Sequence, residues 1–211
     1  EANVDVTCID PNAQIHYTTD GSIPTLESPK YDGNLKITDN TDLVFRTFRP
    51  DGKPCDVFKT RFIKGEFSPA SSITPSNKGL KAVWYNFAGD KCTDIDKAER
   101  NGEYFIADVS IPEGVNGRIG LVINGFINIP ADGIYTFALT SDDGSTLVID
   151  GDKVVDNDGP HSPREVIGQK AMSKGYHPIE LRYFDSNGGV LKMEVRDGEG
   201  NVLPASDLYA Y

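Results

Sequence analysis

The chain has 211 residues and a mass of 23.0 kDa, with 21 Lys+Arg against 32 Asp+Glu for a net charge of −11. That acidity repels phosphate backbones and anionic lipid and argues against a nucleic-acid partner. No apolar run reaches the roughly 18–20 residues of a bilayer-spanning helix. Gly 21 and Pro 13 point to many turns and few long helices, while 38% hydrophobic residues supply a packed core.

The sequence opens on Glu1 without the charged-then-apolar layout of a signal peptide, and it reads as a piece of a longer or processed protein. Residues 1–66 alternate with period two. Val4, Val6 and Cys8 interleave with Asp5 and Thr7, and Ile15 and Tyr17 with His16 and Thr18. Leu43–Phe48 and Val57–Ile63 repeat the habit. Turn formers separate these runs at Asp10-Pro11-Asn12, Asp20-Gly21-Ser22, Asp32-Gly33-Asn34 and Pro50-Asp51-Gly52. Short strands at this spacing predict a small antiparallel β-sandwich. Residues 67–78 hold the Ser- and Pro-rich stretch around Ala70–Gly79 and are expected to form an extended, cleavable linker.

Residues 79–211 continue the strand-and-turn pattern. Strands are expected at Leu80–Phe87, Tyr104–Ile111, Arg118–Asn128, Gly133–Thr140, Thr146–Ile149, His177–Phe184 and Val190–Arg196. Hairpin-type turns are expected at Asp142-Asp143-Gly144, Asp150-Gly151, Asn187-Gly188-Gly189 and Asp197-Gly198. Thr93–Arg100 is the one helical hint. The pattern predicts an all-β molecule, with a small sandwich followed by a larger antiparallel β-barrel or sandwich. Cys8, Cys55 and Cys92 form no Cys-x-x-Cys pair, which argues against a metal cage or redox motif. Cys8 and Cys55 pair only if the fold brings them together; otherwise all three are idle thiols.

The string Ile15-His16-Tyr17-Thr18-Thr19-Asp20-Gly21-Ser22-Ile23-Pro24-Thr25, followed by Ser28 and Tyr31, resembles the chitobiase/β-hexosaminidase C-terminal domain family. That resemblance implies an immunoglobulin-like appendage without catalytic residues. From Gly79 onward the chain resembles the protective-antigen N-terminal type of domain (PA14). The resemblance is carried by Ile129-Pro130-Ala131-Asp132-Gly133-Ile134-Tyr135-Thr136-Phe137, by Ser141-Asp142-Asp143-Gly144-Ser145 and by Leu147-Val148-Ile149-Asp150-Gly151. It implies a β-barrel module of glycosidases, adhesins and toxins, often associated with carbohydrate. The tandem resembles the C-terminal region of a secreted bacterial β-N-acetylhexosaminidase.

Asp142 and Asp143 are the sharpest site candidates, because adjacent carboxylates repel unless solvated or bound to a cation. Ca²⁺ takes 6–8 oxygen ligands. Resemblance to lectin members of the family implies Ca²⁺ and sugar hydroxyls at Asp142, Asp143 and a later loop, here Asp185–Gly189 with Asn187. The competing reading is a turn whose Asp side chains cap their own amides. The six acidic residues within 142–158 read mostly as a solvated rim. His161 is a candidate for a sugar hydrogen bond or for loop packing, while His16 and His177 lie on expected strands and read as structural.

Catalytic signals are thin. The chain has no Asp-Glu dipeptide, no Gly-x-Ser-x-Gly and no His-Glu-x-x-His. The expectation is a noncatalytic accessory region of a secreted, periplasmic or surface-exposed glycoside hydrolase, with the parent's catalytic domain and a glycan as partners. The rival expectations are a calcium-dependent lectin or adhesin module and a structural spacer.

Overall fold

The structure is a computed structural model that describes residues 2–211, the Asp207 side chain excepted. The chain divides into two compact units, Glu1–Gly65 and Glu66–Tyr211.

In the first unit, β1 (Ala2–Val4) pairs antiparallel with β3 (Leu35–Ile37). A second sheet runs in the order β2 (Gln14–Thr18), β4 (Thr41–Phe48), β5 (Pro54–Phe62). Val4, Leu35, Ile37, Leu43 and Phe45 fill the space between the sheets. Tyr31 ties the loop before β3 to the strand at its side. Its hydroxyl donates to the Val4 carbonyl at 2.9 Å and accepts from the Val6 N–H at 3.2 Å. Residues 5–8, expected as part of a strand, lie outside β1, and the short β3 was not expected.

The second unit adds β6 (Leu80–Asn86), β7 (Glu99–Ile106), β8 (Ile119–Ile129), β9 (Gly133–Asp142) and β10 (Ser145–Ile149). It continues with β11 (Asp152–Asn157), β12 (Arg164–Met172), β13 (Gly175–Asp185), β14 (Val190–Arg196) and β15 (Tyr209–Ala210). One sheet has the order β11-β10-β13-β8-β6-β7, with β15 also paired to β8; the other has the order β12-β9-β14. Leu121, Ile123, Phe137, Leu139, Leu147 and Leu181, each 0% exposed, fill the core. Each such side chain contributes about 1.5–3 kcal/mol on burial. β8 is apolar along nearly its whole length because both its faces are covered. Its outer face lies under a satellite cluster of Phe87, Cys92, Ile95 and Phe184, over which the 3-10 turn Cys92–Lys97 folds.

Closure into a barrel does not occur. β7, β11, β12 and β14 each have a hydrogen-bonded neighbour on one side only, so the sheets end in edges and stack as a sandwich instead of joining in a ring. A second correction concerns the turns. Asp150-Gly151 is a hairpin turn between paired β10 and β11. Asp142-Asp143-Gly144 and Asn187-Gly188-Gly189 are not, because β9 and β14 belong to one sheet while β10 and β13 belong to the other. Both segments are corners where the chain crosses between sheets.

The stretch 67–78 runs along the second unit. The Ser68 N–H donates to the Ala171 carbonyl at 2.9 Å, Ser71 to Tyr176 at 2.7 Å and Asn77 to Tyr211 at 3.2 Å. Cys8, Cys55 and Cys92 are free thiols. Burial, followed by the nearby Asp158 carboxylate, pushes the Cys92 thiol up.

Candidate functional site: a carboxylate cluster between two sheet corners

β9 delivers Asp142 and Asp143 to one end of the sandwich. Ser141 and Ser145 flank the corner with their hydroxyls 2.7 Å apart. Asn157, 0% exposed, donates from Nδ2 to Ser141 Oγ at 2.9 Å, and its Oδ1 accepts from Arg164 Nε at 2.7 Å. This buried polar network is satisfied internally and holds the floor of the corner rigid.

β13 delivers the second corner. Tyr183, 0% exposed, donates from its hydroxyl to the Asp142 carbonyl at 2.7 Å. The Phe184 N–H donates to the Gly144 carbonyl at 2.9 Å, and the Phe184 ring lies where a Cβ on Gly144 would stand. Gly189 closes the gap from the other side, since a Cβ there would run into the Asp142 carbonyl. The Asp142–Asp143 peptide bond is cis.

The result is a three-carboxylate cluster. Ligand atoms of Asp142, Asp143 and Asp185 all lie within 4.8 Å of one another. Asp143 bridges loops instead of capping its own turn: Oδ1 accepts from the His161 N–H and Oδ2 from the Ser186 N–H, both at 3.1 Å. Asp185 is 3% exposed and organises its own loop, accepting from the N–H groups of Asn187 at 2.9 Å and of Gly188 and Gly189 at 2.7 Å. The Asp142 carboxylate has no hydrogen-bond donor among the described residues. Burial first, then the charges of Asp143 and Asp185, hold its carboxyl above the usual carboxylate range, with His161 pulling the other way. Burial and the same three carboxylates push the Tyr183 phenol up.

Of the residues expected at a site, Asp142 and Asp143 are brought together with the 185–189 loop. The Asn187 side chain is exposed at the tip of that loop, while its backbone donates to Asp185. His161 is half-buried beside the pair. Its backbone serves Asp143, and its ring nitrogens face the Ser162 and Asn157 carbonyls, each at 2.9 Å. Asn157 and Ser141 were not singled out by sequence, and Asp185 was named only as the first residue of the later loop, with Asn187 as its expected ligand. Asp185 opens the Asp-Ser-Asn-Gly-Gly run, and the Asp-then-Gly-Gly spacing is the one local sign of a carboxylate that accepts backbone N–H groups two to four residues on. The donor set is all oxygen and mostly anionic, which fits a hard cation such as Ca²⁺ and not a soft metal.

A β-sandwich with carboxylates gathered at two sheet-crossing corners defines the class. The PA14 domain family matches residues 76–201, and the chain belongs to it. The chitobiase/beta-hexosaminidase C-terminal domain family matches residues 1–59. Both are accessory domain types. Among solved structures, the PA14 sugar-binding domain from an RTX adhesin is similar at 15% identity and TM-score 0.55, covering 64% of this chain and 99% of that one. The Epithelial Adhesin 9 A domain from Candida glabrata, in complex with Galb1-3GlcNAc, is similar at 12% identity and TM-score 0.54, covering 70% of this chain and 95% of that one. An anti-sigma factor domain-containing protein from Clostridium clariflavum is similar at 16% identity and TM-score 0.53, covering 94% of this chain and 80% of that one. At these identities the likeness is one of fold. No curated protein matches. No helix among the described residues is long and apolar enough to cross a membrane.

Proposed function

We propose that the second unit binds glycan through Ca²⁺ held by Asp142, Asp143 and Asp185, and that the chain is a noncatalytic accessory region of a secreted bacterial glycoside hydrolase, a β-N-acetylhexosaminidase. The single observation behind the first part is the convergence of the three carboxylates, the Asp142 carboxylate having no hydrogen-bond donor among the described residues. The adhesin and sugar-binding relatives support the ligand class. The tandem with a chitobiase/beta-hexosaminidase C-terminal domain supports the parent.

When bound, Ca²⁺ supplies a positive centre able to take the lone pairs of sugar hydroxyls. The chain's own residues do the rest. Asp142 gives a carboxylate free for coordination, and its neighbours' repulsion makes neutralisation favourable. Asp143 fixes the 157–163 and 185–189 loops to the corner, so the ligand atoms are preorganised. Asp185 keeps the second loop folded toward the pair. The exposed Asn187 amide offers both a donor and an acceptor to a sugar's hydroxyls. The half-buried His161 shapes the rim.

Calorimetry with Ca²⁺, followed by a glycan array run with and without chelator, tests this reading. Ca²⁺ at a hundredfold excess over its Kd stabilises the fold by about 2.7 kcal/mol. The Asp142→Asn, Asp143→Asn double variant should lose that gain together with glycan capture. Glycan capture that persists in chelator would sink the metal-dependent reading.

A further inference from the structure

The first unit is a sandwich with one position open. Antiparallel register places Phe58 opposite Phe45, Thr60 opposite Leu43 and Phe62 opposite Thr41. Directly opposed residues share a face, so Phe58, Thr60 and Phe62 project on the face whose Leu43 and Phe45 are 0% and 4% exposed in the core. Phe58 is nevertheless 64% exposed. Three strands stand on one side and only β1 and β3 on the other, so the core face of β5 is covered only in part: Phe62 packs against the core and Phe58 does not. The uncovered space is a cleft of about 520 Å³, walled by Val4 and Val6 on one side and by Phe45, Phe58 and Phe62 on the other.

The cleft also presents free main-chain groups. Tyr31 occupies the Val4 carbonyl and the Val6 N–H. Along an extended segment the intervening residues point their N–H and C=O the opposite way. The N–H groups of Asp5 and Thr7 have no hydrogen-bond acceptor among the described residues, and both residues are exposed. Asp5 and Asp56 line the same cleft, and neither has an ion-pair partner among the described residues.

We propose that this cleft takes one extended strand of a partner polypeptide, paired to the free edge at residues 5–7. Its alternate apolar side chains cover Phe58 and Phe62, and a basic side chain on its other face meets Asp5. Main-chain pairing supplies the attachment, and the apolar wall and the Asp5 carboxylate supply the selection. A helix has its own main-chain groups satisfied and would leave the 5–7 edge unpaired, and a sugar would leave the phenylalanines wet.

The test uses the full chain labelled with ¹⁵N and a synthetic peptide, acetyl-Thr-Val-Lys-Val-Thr-Val-Lys-Val-amide. A scrambled peptide of equal composition, with its valines consecutive, is the control. The alternating peptide should shift the amides of residues 4–8 and 56–62 and slow hydrogen exchange at Asp5 and Thr7 at least tenfold. Phe58→Asp should weaken binding at least tenfold. Because Phe58 is exposed the variant folds, which an unchanged spectrum elsewhere in the unit verifies. Asp5 and Thr7 amides that exchange equally fast with saturating peptide overturn the proposal. So does a concentration-dependent dimer that Phe58→Asp abolishes, since a second copy would then be the occupant.

Discussion

At the scale of single residues, Asp142 gives the clearest test. Its carboxyl is raised from 3.8 by burial and by Asp143 and Asp185, so the folded state holds a proton there more tightly than the unfolded chain does. Stability contributed at this position therefore falls as pH rises from about 3.8 through the folded value, and the penalty is complete above it. In chelator, Asp142→Asn should unfold at higher urea than the parent at pH 7 and equally at pH 3. In saturating Ca²⁺ at pH 7 the order should reverse. If the variant is less stable in both conditions at pH 7, the carboxylate is not a repelled one. Gly189 gives a second test. Gly189→Ala should leave the core intact but force the 185–189 loop away from the Asp142 carbonyl, costing roughly 1–3 kcal/mol. It should also remove the Ca²⁺-dependent rise in Tm, read by scanning calorimetry. The third residue lies away from the cluster. His177 is 0% exposed and spans Asp150 Oδ2 at 2.9 Å and the Ser173 carbonyl at 2.8 Å. His177→Ala leaves a cavity and strips a partner from Asp150, so the urea midpoint should drop by the equivalent of about 2–4 kcal/mol.

At the scale of elements, the corners matter more than the strands they join. The β9–β10 and β13–β14 connections both cross between the sheets, and the Tyr183 and Phe184 hydrogen bonds draw them together at one end. Sequence gave these segments the residue types of hairpin turns. A crossing corner uses the same Asp and Gly, because both connections need sharp chain reversal and local acceptors. β12 was missed because its exposure alternates from Glu165 to Lys170 but its residue types do not follow: apolar Ile167 is exposed, while the half-buried positions hold Gly168 and Lys170 as well as Val166. β7 begins earlier than expected, at Glu99, where pairing with β6 overrides the polar run Glu99–Asn101. The 67–78 stretch carries the protease prediction. A free linker would be cut within 71–78. Its hydrogen bonds to the second unit, and that of the Gly79 N–H to the Tyr209 carbonyl at 2.9 Å, shield the Lys78–Gly79 bond. Lys64 and Gly65 are both exposed, so brief trypsin treatment should cut after Lys64 before Lys78. Mass spectrometry of the first fragments decides, and first cleavage after Lys78 would mean that the stretch detaches.

At the scale of the whole molecule, the chain is an all-β tandem of accessory domain types, and its carboxylate cluster is built for holding loops together. General acid–base hydrolysis of a glycoside needs two carboxyls flanking the bond in a defined cleft. Here Asp143 and Asp185 are committed to backbone N–H groups. The full chain should therefore release no chromophore from an aryl N-acetylglucosaminide. Turnover that survives purification and disappears on mutating one carboxylate would overturn the accessory reading.

The sequence by itself determined the all-β class, the tandem of two modules and the adjacent pair Asp142-Asp143. These follow from local signals: period-two alternation, Asp-Gly turns and short motifs. Tertiary structure alone decided three things. It made the larger unit an open sandwich, because edge pairing depends on contacts distant in the chain. It put Asp185, and not the expected Asn187, beside the pair from the 185–189 loop, because which side chain of a loop faces the other corner depends on how the two sheets stack. And it left Phe58 on the core face of β5 uncovered, because alternation tells which side of a strand is apolar but not whether anything lies against it.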